Sequence, residues 1–247
     1  MLDHEQLISG SSHLELRIAT SSSTSTSGHI LILMHGLPRT MGMGRQAAGL
    51  LPELAEHLAN ESGWTVATGT LSGVGGSTGT FSATQWKQDI ATVIERIAKE
   101  KQRISLAGFG FGGALALNTA ANDERIQGVA TFAAPAHLPQ WSGTPEEFHR
   151  GIKLAGVVSD AVALQSVKEL YDDVMSIDPL GSAAKIPPRR LLIGHGSDDI
   201  EVPAQDARDL VDAAQQHAEL RIIQGAGHQL RADPRMVATL LGWLDRH

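Results

Sequence analysis

The stretch Arg103-Ile-Ser-Leu-Ala-Gly108-Phe109-Gly110-Phe111-Gly112-Gly113-Ala114-Leu-Ala-Leu-Asn118 decides how the rest of the chain is read. Its first half is a short apolar run, the length of a buried strand. Its second half runs through small glycines into the helical run Ala114-Leu-Ala-Leu-Asn118. The glycines between them let the backbone turn sharply from one element into the next. A strand that feeds directly into a helix is the building unit of a parallel sheet covered on both faces. Glycine-rich turns of this kind also bind phosphates, but the Lys-Ser/Thr that ends a P-loop is missing. No acidic residue ends a strand about 20 residues on either, since Asp123 and Glu124 lie in a helix-terminal loop.

Working outward, short apolar runs alternate with helical patterns from Gly28 to the end. Strands are expected at Ile30–Met34, Thr65–Thr68, Ile104–Gly108, Gly128–Phe132, Arg190–Gly194 and Glu219–Ile223. Helices are expected at about Gln46–Asn60, Trp86–Lys101, Gly112–Ala121, Ala204–His217 and Pro234–Arg246. Before these, His4–Leu7 and Leu14–Ala19 read as an antiparallel hairpin, because His13-Leu14-Glu15-Leu16-Arg17-Ile18 alternates polar with apolar. The polar stretch Thr20–Gly28 reads as a mobile hairpin tip. The segment from Ala134 to Lys185 breaks the rhythm with Trp141, Phe148, Leu154, Leu170 and Tyr171 at helical spacings, and is expected to form a small helical cap over the sheet's C-terminal edge. The fold class is therefore α/β: one domain over residues 1–247, an eight-stranded mostly parallel sheet with helices on both faces and a cap insertion at about 134–185.

Composition narrows the function. The 20 Lys and Arg against 27 Asp and Glu leave a net charge of -7, the wrong balance for neutralising nucleic-acid phosphates. A chain of 247 residues buries enough surface to need no staples, and with no cysteine it has no disulfide, thiolate nucleophile or cysteine-ligated metal. His4, His13, His57, His137, His149 and His217 show no metal-ligand spacing, so neither a metal nor a cofactor is expected. No apolar run approaches membrane-spanning length and the first residues lack a signal-peptide pattern, so the protein is expected to be cytoplasmic, with no membrane partner. Oligomeric state is not legible.

The strand, turn and helix around Gly108–Gly113 resemble the nucleophile elbow of the α/β-hydrolase superfamily, in which the turn carries Gly-x-Ser-x-Gly. Other landmarks are similar and fall in the family's order. His35-Gly-Leu-Pro38 resembles the oxyanion loop, which implies that the backbone N–H groups of Leu37 and Phe111 form the oxyanion hole. Leu71-Ser-Gly-Val-Gly-Gly-Ser-Thr-Gly79 resembles the glycine-rich turn of esterase-like and prolyl-peptidase-like members, with Ser72 where the pattern has arginine. His195-Gly-Ser-Asp-Asp-Ile-Glu-Val-Pro203 resembles the acid loop and puts the carboxylate at Asp199, while Gly225-Ala-Gly-His228 supplies the imidazole. His35 and His195 are then residues that shape loops, and Asp198 and Glu201 are solvated neighbours.

The serine position of that pattern is Gly110. Ser105 falls inside a strand and Ser77 and Ser197 in other loops, so no nearby hydroxyl replaces it. The resemblance thus implies the site of an esterase or peptidase acting on small acyl substrates, with little or no serine-hydrolase activity as it stands. Two alternatives remain open: a pseudo-hydrolase that binds a small molecule without turnover, and an enzyme that uses His228 and Asp199 with water or for proton transfer.

Overall fold

The computed structural model describes residues 1–21, 28–98, 102–157 and 166–246. Eight strands form one sheet: β1 (Leu2–Ser9), β2 (Ser12–Ala19), β3 (His29–Met34), β4 (Thr65–Gly69), β5 (Arg103–Phe109), β6 (Ile126–Phe132), β7 (Arg190–Gly196) and β8 (Glu219–Ile223), in the spatial order β1-β2-β4-β3-β5-β6-β7-β8. The pairs β1/β2 and β2/β4 are antiparallel and all others are parallel, as the alternation of strand and helix patterns predicts. Alternating residues of β3 feed two cores. Ile30, Ile32 and Met34 pack with α2 (Ala83–Ile97), α3 (Phe111–Asn122) and α8 (Ala204–Ala213), whereas Leu31 and Leu33 pack with α1 (Leu51–Ser62) and α9 (Pro234–Leu244).

The order of β4, β3 and β5 positions the site. The chain runs from β3 outward to β4 and then returns past β3 to β5, so the loops leaving β3 and β5 diverge at the C-terminal edge of the sheet. That switch in direction opens a crevice between two adjacent parallel strands, where α/β sheets place ligands.

Four helices lie between β6 and β7: α4 (Leu138–Ser142), α5 (Pro145–Ala155), α6 (Val167–Met175) and α7 (Pro179–Ala183), with residues 158–165 outside the described residues. Capping boxes begin α5, where the Thr144 hydroxyl accepts the Glu147 N–H, and α6, where Ser166 and Glu169 do the same. The insertion docks through aromatic rings. Trp141 stacks on Phe111 at 5.4 Å with planes 3° apart, and Phe148 packs edgewise on Trp141 at 6.1 Å. Phe81 and the fully buried Trp86 continue the cluster into the core, with ring centroids 4.8 Å apart.

Three expectations need correction. Gly10 and Ser11 make the hairpin turn, with Gly10 at φ 57°, so Thr20–Gly28 is not a hairpin tip. That stretch joins β2 to β3, which are not neighbours in the sheet; its residues 22–27 lie outside the described residues. The helix expected from Gln46 begins at Leu51, because Met43–Gln46 makes a separate 3₁₀ turn and Pro52 sits where the first helical turn tolerates a missing N–H. The helix expected to reach His217 stops at Ala213, since Gln215 and Gln216 take left-handed backbone conformations at φ 54° and 63°.

Candidate active site

The elbow survives in its backbone. Gly110 has φ 53° and ψ -128°; its N–H donates to the Phe132 carbonyl at 2.8 Å and its carbonyl accepts the Gly113 N–H at 2.9 Å. The surrounding glycines are there for space. A Cβ at Gly108 would meet the Gly112 carbonyl oxygen at 2.3 Å, and one at Gly112 would meet the His35 carbonyl oxygen at 2.2 Å. Position 110 differs, because a Cβ there would meet nothing nearer than Nε2 of His228, at 3.4 Å. Only the backbone angle favours glycine at 110, and any side chain there would point at the imidazole.

Asp199 and His228, from the loops after β7 and β8, come together as the spacing of the motifs places them. His228 Nδ1 lies 2.8 Å from Asp199 Oδ2. An ionised carboxylate only accepts, so Nδ1 carries the hydrogen and Nε2 presents its lone pair toward Gly110. The other carboxylate oxygen accepts the N–H groups of Glu201 and Val202, both at 2.9 Å. Asp198 takes no part, since its Oδ1 accepts the Ser197 hydroxyl at 2.6 Å.

His195 joins this network in a way that sequence reasoning missed. Its Nε2 lies 2.9 Å from the Val202 carbonyl oxygen, so that nitrogen carries the hydrogen, and it is also 3.3 Å from Asp199 Oδ2. The side chains of His195 and Asp199 are both fully buried. Burial alone would raise the Asp199 carboxyl, but the hydrogen bonds from His195, His228 and the Val202 N–H outweigh it and hold the group well below the usual carboxylate range. Burial would lower His228, yet the Asp199 carboxylate raises it above its ordinary value, with a smaller contribution from Glu201.

The third landmark is the loop after β3. His35 Nδ1 donates to the Gly36 carbonyl at 2.8 Å, and its Nε2 accepts the Leu71 N–H at 3.1 Å. Burial pushes the His35 imidazole down to about 4, so it holds the loop as a neutral ring. The loop brings Leu37 to the same pocket as Phe111, and neither backbone N–H is taken by a protein acceptor among the described residues. Gly110, Leu37, Phe111, Trp141 and His228 line one cavity of about 90 Å³. Arg39, Glu201 and Arg231 also line it. The signal for the arginines is chain proximity, with Arg39 two residues past Leu37 and Arg231 three past His228.

The other hydroxyls lie elsewhere. Ser105 is inside β5, Ser77 Oγ bonds the Thr70 hydroxyl at 2.7 Å, and Ser197 accepts the Gly225 N–H. Ser72, in the glycine-rich turn, gives its N–H to the buried Asp89 carboxylate at 2.7 Å. His137 does gain acidic neighbours: ligand-type atoms of His137, Asp206 and Asp209 lie within 4.8 Å of one another, a grouping invisible in the spacing because two elements supply it. Those atoms already have work in anchoring the insertion. Asp206 accepts the Ala136 N–H at 2.8 Å, and His137 Nε2 meets Asp209 at 2.7 Å. No helix among the described residues is long and apolar enough to cross a membrane.

A model of the alpha/beta hydrolase family matches residues 31–240. No curated protein sequence matches the chain. Among solved structures, the alpha/beta hydrolase GrgF from Penicillium sp. sh18 superposes with a TM-score of 0.73 at 19% identity, covering 100% of this chain and 99% of that one. Proline iminopeptidase from Mycobacterium smegmatis gives 0.75 at 16%, covering 99% and 98%. XC6422 from Xanthomonas campestris, described as a serine hydrolase without a lid, gives 0.65 at 20%, covering 99% and 92%. At these identities the likeness carries the fold.

Proposed function

The chain belongs to the alpha/beta hydrolase family, and on that premise we propose that it binds small acyl compounds in the Leu37–Phe111–His228 pocket and acts on them without a covalent serine intermediate. His228 is the general base in this reading, and Asp199 holds its tautomer. The observation that carries it is the position of Nε2, which carries a lone pair 3.4 Å from where a Cβ at Gly110 would stand, in the cavity that Leu37 and Phe111 also line.

The steps balance without any further group. A water molecule between Nε2 and the bound carbonyl loses a proton to His228 as its oxygen bonds to the carbonyl carbon. The resulting oxyanion takes hydrogen bonds from the Leu37 and Phe111 N–H groups. Collapse of the adduct breaks the bond to the leaving group, which receives the proton held on Nε2. With no serine to acylate, every turnover ends in a single displacement by water.

The missing nucleophile also favours a second reading, in which the pocket binds its ligand and no turnover follows. One set of measurements separates the two. The water mechanism requires slow hydrolysis of an activated ester with no burst and no fluorophosphonate labelling. It also requires that His228→Ala abolish the rate, and that Gly110→Ala reduce it by placing a methyl group against Nε2. A rate that survives His228→Ala would remove the water mechanism, and ligand binding with no rate at all would leave the binding role.

A further inference from the structure

Two guanidinium groups in the pocket have no ion-pair partner among the described residues. Arg39 and Arg231 are both half-buried and both line the cavity. Each commits one nitrogen to a backbone carbonyl: Arg39 Nη1 to Trp141 at 2.6 Å and Arg231 Nη1 to Ala47 at 2.9 Å. Neither has a carboxylate within ion-pair distance among the described residues. By contrast, the more exposed Arg96, Arg125, Arg235 and Arg246 each hold one. Burial lowers the pKa of both pocket arginines, and at Arg39 the more distant carboxylates of Glu201 and Glu147 offset only part of it. Glu201 is the one carboxylate at the cavity; it is exposed and beyond ion-pair reach of either.

Both cations are held in place relative to the reacting groups. The Arg39 guanidinium lies 4.7 Å over the Trp141 ring, and Trp141 stacks on Phe111, whose N–H is one of the two free amides. Arg231 sits on the short turn Leu230–Ala232 directly after His228, and its charge is felt at the His228 ring. A planar fork of N–H donors fits a carboxylate better than it fits a neutral oxygen.

We propose that the pocket selects small acyl compounds carrying a carboxylate away from the reacting carbonyl, and that Arg39 and Arg231 bind that carboxylate. This rests on the reading that acyl compounds occupy the site, and names which of them do. The free space of about 90 Å³ beside these groups suits a short chain.

The test is calorimetric binding of monomethyl glutarate and dimethyl glutarate, which differ only in the free carboxylate. The monoester is expected to bind at least about tenfold more tightly, the scale of a hydrogen-bonded charged pair. Arg39→Met and Arg231→Met should each weaken the monoester about tenfold and leave the diester within about twofold, while Arg39→Lys and Arg231→Lys keep part of the preference. Equal affinities in the unsubstituted protein, where folding is not in question, would overturn the proposal. So would binding of neither ester, or a preference that survives in both folded methionine variants. Binding with the expected preference but no turnover would sink the hydrolytic reading alone. Turnover of both esters with equal affinity would sink this inference alone.

Discussion

Replacing Gly110 with serine asks whether the site lacks anything besides a nucleophile. The new Cβ would meet His228 Nε2 at 3.4 Å, Cε1 at 3.7 Å and Gly36 Cα at 3.9 Å, all ordinary contacts, so sterics cost nothing. The backbone does cost something, because an L-residue at φ 53° carries about 1–2 kcal/mol of strain. In a chain of this size that lowers Tm by about 2–8 °C. From a Cβ at 3.4 Å, one further bond brings Oγ within the roughly 2.6–3.2 Å that a nucleophile and its base require. Removing the nucleophile from an intact serine hydrolase costs on the order of a millionfold. Here the imidazole, the carboxylate and both amides are already placed, so Gly110→Ser should recover at least about a thousandfold in kcat/KM toward p-nitrophenyl acetate, roughly 4 kcal/mol of barrier. Stoichiometric fluorophosphonate labelling should appear with it. Gly110→Ala is the control, carrying the same strain without the hydroxyl. A folded Gly110→Ser protein that is unlabelled and no faster than Gly110→Ala would refute the placement of His228, Leu37 and Phe111 as working parts.

The remaining predictions concern the groups around that position. Any rate that depends on His228 should rise with pH through a value above 6.5, because the neutral ring is the base and Asp199 raises its pKa. Asp199→Asn should move that limb to lower pH, since burial then acts on His228 without the carboxylate, and should lower the plateau by about 10³–10⁴ as the tautomer is lost. The pair should stabilise the fold most between about pH 4 and 6.5. Below that window the unfolded carboxyl takes up a proton that native Asp199 still refuses, so the contribution drains away as pH falls toward the depressed native value; above it the unfolded ring sheds a proton that native His228 still holds, so the contribution is lost as pH rises through the raised native value. The Tm difference between the unsubstituted protein and His228→Ala, followed against pH, reads this directly. His35→Leu should cost about 2–4 kcal/mol in urea unfolding, because the Gly36 carbonyl and the Leu71 N–H lose their shared partner. Trp141→Ala should cost about 1–3 kcal/mol and weaken ligand binding, as it removes both the stack on Phe111 and the platform under Arg39.

How much of this was legible depends on which forces set each feature. The parallel sheet was, because strands buried on both faces leave unbroken apolar runs, and in β3 every residue of Ile30–Met34 is buried. Element ends were less so. The last turn before β8 is closed by Gln215 and Gln216 at positive φ, where no glycine announces the stop. The places of Asp199 and His228 follow from the motif His-Gly-x-x-Asp and from a histidine after the last strand, which are signals of resemblance rather than of periodicity. His195 and Asp199 stand four apart in one motif, but spacing alone does not tell which way a loop turns its ring, and nothing local told that Arg39 and Arg231 line one cavity across 192 residues of chain. The arginines meet because the order of the strands brings the loops after β3 and β8 to one end of the sheet, and that order is not written in any one segment.

Position 110 is also where stability and chemistry come apart. At Gly108 and Gly112 the two are joined, because a side chain at either would be driven into a backbone carbonyl and the strand, helix and loop would have to separate. At 110 a side chain would make only ordinary contacts with the imidazole and Gly36, so a serine there would add strain and contribute little but its hydroxyl. A fold can therefore hold glycine at this point with its sheet, its aromatic cluster and its loop histidines undisturbed. The two free amides belong to the main chain, and the Asp199–His228 pair is built from the loops after β7 and β8, so none of them depends on the residue at 110. On the proposed reading, what the glycine changes is the identity of the attacking group, while the two free amides and the paired imidazole around it stay where they are.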